Sequence, residues 1–241
     1  MTTTRVDSVS CGDAGSMDVH MWFPDGVDPA DPAGSPTIVL IQEIFGVGPY
    51  IRAVGERLAA AGYIVGAPDL FWRFEPHWES DHTEAGLGSS MAKAQNLDFP
   101  LAIADCVATF NHLAALDSAH APGVIGFCLG GTLAWALAAA VEPSCCVSYY
   151  GSGVPSMLDM IDSVTCPTLF HFGNRDAWIP GEGVEAIGAA IAGRAGFALN
   201  VEDAGHAFDN HESEMFHNEA AARAAWSKTM AFLTMYLPVA S

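Results

Sequence analysis

Short apolar runs alternate with longer segments of mixed polarity along most of this 241-residue chain. Runs rich in Val, Ile and Leu predict buried strands at 37–42, 63–67, 122–127, 145–150, 167–172 and 197–202. Apolar residues at helical spacing predict helices at 49–61, 100–116, 130–141, 182–193 and 214–235, with a short one at 155–161. Strands that alternate with helices imply an α/β fold with a mostly parallel sheet, flanking helices and right-handed crossovers.

Three segments depart from this alternation. Residues 5–23 predict an N-terminal β-hairpin around the turn Gly12-Asp13-Ala14-Gly15. Residues 24–36 predict a long polar loop, because four prolines and two glycines exclude a regular element. Residues 70–98 are the least regular stretch, and we expect them to form an excursion that roofs the ligand-binding end of the sheet. The aromatic residues of this excursion either wall a substrate pocket or only pin the loop to the body of the protein.

The segment Val124-Ile-Gly-Phe-Cys-Leu-Gly-Gly131 lies between a predicted strand and a predicted helix. It matches the nucleophile-elbow pattern G-x-S-x-G, with Cys128 in the serine position. The glycines are needed because a Cβ two residues from the nucleophile would collide with neighbouring backbone in this cramped turn. The helix N-terminus then favours a thiolate and, later, an oxyanion. The alternative is that Cys128 is a small buried apolar residue, as most free cysteines are.

An acid and a histidine follow Cys128 in the order typical of α/β-hydrolases. Asp176 comes just after the strand predicted at 167–172, and His206 just after the strand predicted at 197–202. His206 would be the general base toward the thiol, and Asp176 would orient its imidazole. Taken singly, Asp176 is also a plausible turn residue and His206 a plausible loop histidine. Three such residues in order, each at the C-terminal end of a strand, favour a catalytic triad.

The motifs of the chain resemble those of the dienelactone hydrolases, or carboxymethylenebutenolidases, from about Val6 to Leu237. They are Gln42-Glu-Ile-Phe-Gly46, Ala67-Pro-Asp-Leu70, Gly126-Phe-Cys-Leu-Gly-Gly131, Tyr149-Tyr-Gly151, Gly173-Asn-Arg-Asp176 and Gly205-His-Ala-Phe208. The resemblance implies the α/β-hydrolase fold and the triad Cys128, His206 and Asp176. It also implies an oxyanion hole made by the backbone N–H groups of Ile44 and Leu129. Glu43 would be an auxiliary carboxylate that helps to generate the thiolate.

One departure from the family concerns substrate charge. Members of the family hold an anionic substrate with two arginines, one of them four residues after the catalytic histidine. Here that position is Asn210, and no Arg occurs between Arg73 and Arg175. Unless Arg73 or Lys93 substitutes, the substrate-binding cations are absent. The resemblance therefore implies the family's catalytic chemistry for this chain, but not the family's anionic substrate. The candidate pocket residues are Phe45, Trp72, Trp78, Tyr149, Trp178 and Asn210.

Composition and charge limit the binding partners and the cellular location that we expect for this chain. The length, with 51% hydrophobic residues, fits one domain over 1–241, and a monomer is expected. A formal charge of −19 disfavours binding to nucleic acid or to an anionic membrane. No apolar run reaches the length of a membrane span, and the N-terminal residues lack the apolar segment of a signal peptide, so a cytoplasmic location is expected. In that reducing compartment the six cysteines would be thiols.

No metal or organic cofactor is expected, because neither of two His/Glu groups matches a recognised ligand pattern. These groups are His77, His82 and Glu84, and His211, Glu214 and His217. The predicted function is a cysteine-dependent hydrolase of a lactone or small carboxylic ester, acting through a thioester. A broad carboxylesterase or thioesterase is the alternative enzyme. A non-catalytic binding or redox-sensing protein is the other alternative, although a thiol sensor needs no oriented base.

Overall fold

The computed structural model describes residues 2–32, 34–116 and 119–239, and an eight-stranded sheet runs through it. Residue 33 of the predicted loop over 24–36, and both ends of the predicted domain over 1–241, lie outside these ranges. The strands are β1 (Thr3–Ser10), β2 (Ser16–Phe23), β3 (Thr37–Ile41), β4 (Ile64–Pro68), β5 (Gly123–Phe127), β6 (Cys146–Tyr149), β7 (Thr168–Gly173) and β8 (Phe197–Glu202).

The sheet has the order β1-β2-β4-β3-β5-β6-β7-β8. The hairpin strands β1 and β2 pair antiparallel, as does β2 with β4, and every other pairing is parallel. The strands β3 to β7 are almost wholly buried, which explains why they form continuous apolar runs rather than alternating ones. The mixed, mostly parallel sheet and its N-terminal hairpin confirm the predicted α/β-hydrolase architecture.

Six α-helices connect and flank the strands within the described residues. They are α1 (Pro49–Ala60), α2 (Glu84–Ala94), α3 (Phe99–Ala114), α4 (Leu129–Ala140), α5 (Gly181–Ile191) and α6 (Glu219–Tyr236). Helix α4 follows β5 directly and is buried over nearly its whole length, with Trp135 fully enclosed. None of the helices in the described ranges is long and apolar enough to cross a membrane.

Three predicted elements need correction. The excursion over 70–98 contains helix α2, whose start is capped by the Thr83 hydroxyl accepting from the N–H of Gly86 at 3.1 Å. The helix predicted at 214–235 begins instead at Glu219, where the Asn218 side chain caps the N–H of Ala221. The short helix predicted at 155–161 is a 3-10 segment over Val154–Ser163. Capping side chains, rather than apolar periodicity, determine the first two starts.

Candidate active site

The turn between β5 and α4 holds Cys128 in a backbone conformation that residues other than glycine rarely adopt, with φ 54° and ψ −113°. Such a backbone costs about 1–3 kcal/mol and persists only where the surroundings enforce it. A Cβ on Gly126 would lie 1.9 Å from the carbonyl oxygen of Gly130, and one on Gly130 would lie 2.2 Å from that of Ile41. The two glycines therefore allow β5, β3 and the helix start to approach closely enough to form the elbow.

Three side chains from three different loops meet at this elbow. His206 Nε2 lies 3.1 Å from Cys128 Sγ, and His206 Nδ1 lies 2.7 Å from Asp176 Oδ2. The other oxygen of Asp176 accepts from the backbone N–H groups of Trp178 at 2.8 Å and Ile179 at 3.1 Å. Asp176 is thus held at the C-terminal end of β7 with its free oxygen directed at the imidazole. The structure brings the three predicted triad residues together in the order sulfur, imidazole, carboxylate.

The electrostatics of this group favour a protonated His206. Burial opposes the charge, but the adjacent Cys128 sulfur and the Asp176 carboxylate together raise the pKa of His206 to about 10. An imidazolium beside a cysteine sulfur stabilises the thiolate, which is the nucleophilic form. Because Cys128 also stands at the N-terminus of α4, the helix dipole acts in the same direction. The arrangement is suited to nucleophilic attack on a carbonyl carbon.

Glu43 lies just beyond β3, buried beside the elbow with 1% of its surface exposed. Its Oε2 accepts a hydrogen bond from Asn210 Nδ2 at 2.7 Å, while its Oε1 is buried without a partner in the described part of the chain. Burial raises the pKa of Glu43 to about 7, against the lowering effect of His206 and Asn210. Glu43 is therefore a carboxyl group able to exchange a proton near neutral pH.

A cavity of about 580 Å³ opens above Cys128. At its base lie Glu43, Cys128 and His206 with Ile44 and Leu129. Among the described residues, the backbone N–H of Ile44 makes no backbone hydrogen bond, and neither does that of Leu129. Both groups can therefore donate to an oxyanion. The walls of the cavity are mainly apolar, and they come from helix α2 on one side and from the loops after β7 and β8 on the other.

Of the predicted pocket residues, Phe45 and Trp178 line this cavity. The Trp178 ring lies edge-on to the His206 ring with centroids 4.9 Å apart, and with 44% of its surface exposed it stands at the cavity mouth. Trp72 and Trp78 were predicted to line the pocket, but neither is among the described residues that line this cavity. Trp72 Nε1 donates to Asp105 of α3 and so pins the excursion to the body, whereas the Trp78 ring faces the Lys93 ammonium group at 5.0 Å within the excursion.

Tyr149 and Asn210 also lie outside the cavity, which corrects their predicted role. Tyr149 is fully buried at the end of β6, where its hydroxyl and that of Thr229 lie 2.6 Å apart. Asn210 is fully buried too, and it contacts the cavity only through its hydrogen bond to Glu43. Its amide therefore occupies the place of a cation without presenting any group to the substrate.

No Lys or Arg is among the described residues that line the cavity. The cations considered as replacements are paired elsewhere: Arg73 forms two hydrogen bonds to Asp105, at 3.0 and 2.6 Å, and Lys93 pairs with Glu75. Arg175, the next arginine along the chain, lies 3.2 Å from Asp203 on the surface. The ionisable groups that face the cavity are Glu43, Cys128 and His206.

Sequence reasoning expected the excursion over 70–98 to supply a wall of the pocket but missed that helix α2 forms it. Leu87, Met91 and Ala94 line the cavity, followed by Gln95 at the helix end. The spacing 87, 91, 94 is that of one face of a helix, and this was the available signal. Phe216 was placed inside a helix by the sequence but lies in a turn, from which it lines the cavity beside Trp178.

The two His/Glu groups considered for a metal do not form a cluster. The His82 ring is tilted against that of Phe45, with ring centroids 4.2 Å apart, and His77 faces Asp18 and Asp69. Within the part of the chain that the structure describes, no group of three or more His, Cys, Asp or Glu side chains is arranged to hold a metal ion.

The fold and the Cys128–His206–Asp176 geometry define an α/β-hydrolase with a cysteine elbow. The dienelactone hydrolase family model matches residues 26–237, and the chain belongs to this family. A carboxymethylenebutenolidase from Pseudomonas sp. (strain P51) is 34% identical over 234 residues, covering 96% of this chain and 95% of the relative. A carboxymethylenebutenolidase from Rhodococcus opacus is 34% identical over 224 residues, covering 88% and 86%. The chain is thus a hydrolase of the class that acts on esters and lactones.

The fold is shared with solved structures as well. The crystal structure of a provisionally named dienelactone hydrolase from Klebsiella pneumoniae subsp. pneumoniae MGH 78578 has a TM-score of 0.82, with 24% sequence identity. The match covers 98% of this chain and all of the other. At this identity the likeness concerns the architecture alone.

Proposed function

We propose that this chain hydrolyses uncharged lactones or small carboxylic esters through a thioester on Cys128. The observation that carries the proposal is the continuous contact from Asp176 through His206 to the Cys128 sulfur, at the base of an apolar cavity. A family of ester and lactone hydrolases supplies the reaction class. The charge of the substrate follows from this chain's own residues, because no described Lys or Arg lines the cavity.

In the proposed reaction, the Cys128 thiolate attacks the carbonyl carbon and the carbonyl oxygen becomes an oxyanion held by the N–H groups of Ile44 and Leu129. When the tetrahedral intermediate collapses, its C–O bond breaks and the leaving alkoxide takes a proton from the imidazolium of His206. A thioester remains. Neutral His206 then removes a proton from water, which attacks the thioester, and the acid leaves as the C–S bond breaks. The thiolate–imidazolium pair is restored.

The shape of the cavity supports a small substrate with an apolar body. Leu87, Met91 and Ala94 of α2 line the cavity together with Trp178 and Phe216. A volume of about 580 Å³ suits a molecule of one or two rings or a short acyl ester. The exposed Trp178 and Met91 leave the mouth of the cavity wide. This width favours a broad carboxylesterase as the second candidate function.

Hydrolysis of a neutral aryl ester by three cysteine variants tests the proposal. Cys128→Ala should abolish turnover, and Cys128→Ser should leave a small residual rate, because the site ionises a thiol but not an alcohol. Cys11→Ala is the matched control, since Cys11 is also partly exposed but does not line the cavity. Wild-type turnover by the Cys128→Ala variant would overturn the proposal, and normal binding of ester without turnover by the wild type would favour a non-catalytic thiol protein.

A further inference from the structure

A second buried carboxylate lies next to Glu43. Asp209 has 2% of its surface exposed, and its Oδ2 accepts from the Tyr50 hydroxyl at 2.8 Å. The hydroxyls of Tyr50 and Tyr150 lie 3.3 Å apart, and Glu43 lies close enough to Tyr150 for its charge to raise the pKa of that tyrosine. Asp209 and its neighbour Asn210 therefore reach Glu43 from two directions. Asn210 bonds it directly, and Asp209 is connected through the two tyrosines.

The two carboxylates have too few donors to be ionised together. Glu43 Oε1 and Asp209 Oδ1 are both buried without a partner among the described residues. An ionised buried carboxylate without donors costs several kcal/mol, and two adjacent negative charges in a dry site add their repulsion. One proton shared between the pair removes most of this cost. The geometry thus favours a pair with a single negative charge near neutral pH.

A cation on α1 lies near Asp209. Arg57 Nη1 lies 3.9 Å from Asp209 Oδ2, and its guanidinium stacks 3.7 Å from the centre of the Trp226 ring, with the side chain 40% exposed. Asp209 therefore has both a hydroxyl donor and a cation that reaches solvent. Glu43 has an amide donor from Asn210 and faces His206.

We propose that Asp209 is a positioning residue: its ionised carboxylate, held by Tyr50 and Arg57, keeps the shared proton on Glu43 in the resting protein. Glu43 is then neutral beside Cys128 and does not repel the thiolate. The proposal deepens the proposed hydrolase site, on which it rests. Burial raises the pKa of both carboxyls, to about 7 for Glu43. The negative charge of Asp209 raises the pKa of Glu43 further, whereas Tyr50 and Arg57 lower the pKa of Asp209.

Titratable and charged groups from several elements face the two carboxyls. Glu43 faces His206, Asp209, Tyr150 and Tyr50, and Asp209 faces Tyr50, Arg57, His211 and His217. The imidazolium of His206 acts on Glu43 in the opposite sense and lowers its pKa. Removal of the Asp209 charge alone therefore leaves Glu43 with groups that favour its ionised form, and the pKa of Glu43 must fall.

The pH dependence of Cys128 alkylation by iodoacetamide tests this inference without requiring hydrolysis. In the wild type, the rate should fall across an inflection near pH 7 as Glu43 ionises and repels the thiolate. Asp209→Asn should move this inflection down by at least about one pH unit, and Glu43→Gln should abolish it. Asp203→Asn removes the same charge from an exposed side chain three residues before His206 and should leave the profile unchanged.

Superimposable profiles of wild type and Asp209→Asn would overturn the inference. Should Asp209→Asn fail to fold, carbon-13 NMR of wild-type protein labelled at the Glu carboxyl carbons decides instead. The resonance that disappears in Glu43→Gln should report a protonated carboxyl at pH 6, and an ionised one there would place the proton on Asp209. Absence of ester hydrolysis by the wild type would remove the proposed function but leave both of these measurements interpretable.

Discussion

Adding a carboxylate to the substrate should lower kcat/KM at least roughly tenfold, which corresponds to about 1.4 kcal/mol of transition-state stabilisation. A carboxylate in the cavity would meet the thiolate of Cys128 and the carboxyl of Glu43, with His206 the only described lining residue able to carry a positive charge. Full desolvation of an unpaired carboxylate costs several kcal/mol. The wide mouth, with Trp178 exposed, lets the ligand keep part of its hydration, so tenfold is the lower bound.

A cation placed in the cavity wall should weaken this preference for the neutral substrate. Gln95 lines the cavity at the end of α2, whereas the next residue, Asn96, does not. A unit charge about 5 Å from the substrate carboxylate contributes about 1 kcal/mol in water and about 3 kcal/mol at an effective dielectric constant of 20. Gln95→Arg should therefore raise kcat/KM for the anionic substrate at least about fivefold, and Asn96→Arg should change it little.

The assay compares a free-acid dienelactone with its methyl ester, at fixed ionic strength, for the wild type and both arginine variants. The ratio of kcat/KM for the two substrates cancels differences in protein activity between preparations. A wild-type preference for the free acid would refute the reasoning, since it would require a cation in the cavity that the described residues do not supply. Equal effects of Gln95→Arg and Asn96→Arg would show that only the long-range field of the chain is acting.

Two further predictions concern the triad and its carboxyl neighbour. His206→Ala and Asp176→Asn should both reduce turnover strongly, the histidine change more, because His206 transfers protons and Asp176 only orients it; an unimpaired Asp176→Asn enzyme would implicate another carboxylate. Burial raises the pKa of Glu43 from 4.5 to about 7, so the folded chain keeps a proton that the unfolded chain releases in this range, and stability falls as the pH rises through it. Relative to wild type, Glu43→Gln should therefore gain about 3 kcal/mol between pH 4 and pH 8 in denaturant unfolding, and an equal difference at both pH values would refute the assigned shift.

The elbow and the triad were predictable because their signals are local. Gly126 and Gly130 are required by atomic collisions within a few residues of Cys128, and the order of Asp176 and His206 follows from the alternation of strands and helices. A mostly parallel sheet brings the C-terminal ends of its strands to one edge, so residues distant in sequence meet there. The distances of 2.7 Å between His206 and Asp176 and of 3.1 Å between His206 and Cys128 could be obtained only from the structure.

The pocket was not predictable to the same degree, because its walls depend on packing between distant segments. Tyr149 ends β6 and Tyr150 follows it with a positive φ of 38°, and their ring centroids lie 5.9 Å apart, so the Tyr-Tyr-Gly motif alone does not say which one reaches the site. The structure directs Tyr150 toward His206, with ring centroids 5.2 Å apart, and buries Tyr149 against Thr229. Asn210 was a pocket candidate by its offset from His206, but the turn carries it beneath Glu43.

Trapping of the acyl-enzyme tests the central claim most directly. Wild-type protein mixed with a neutral aryl ester and quenched in acid within milliseconds should gain the mass of the acyl group, and peptide mapping should place it on Cys128 as a thioester that hydroxylamine removes. A lactone should add its entire mass, because ring opening releases no separate alcohol. Turnover of the ester with no acyl group on Cys128, or with the group on another residue, would contradict the account.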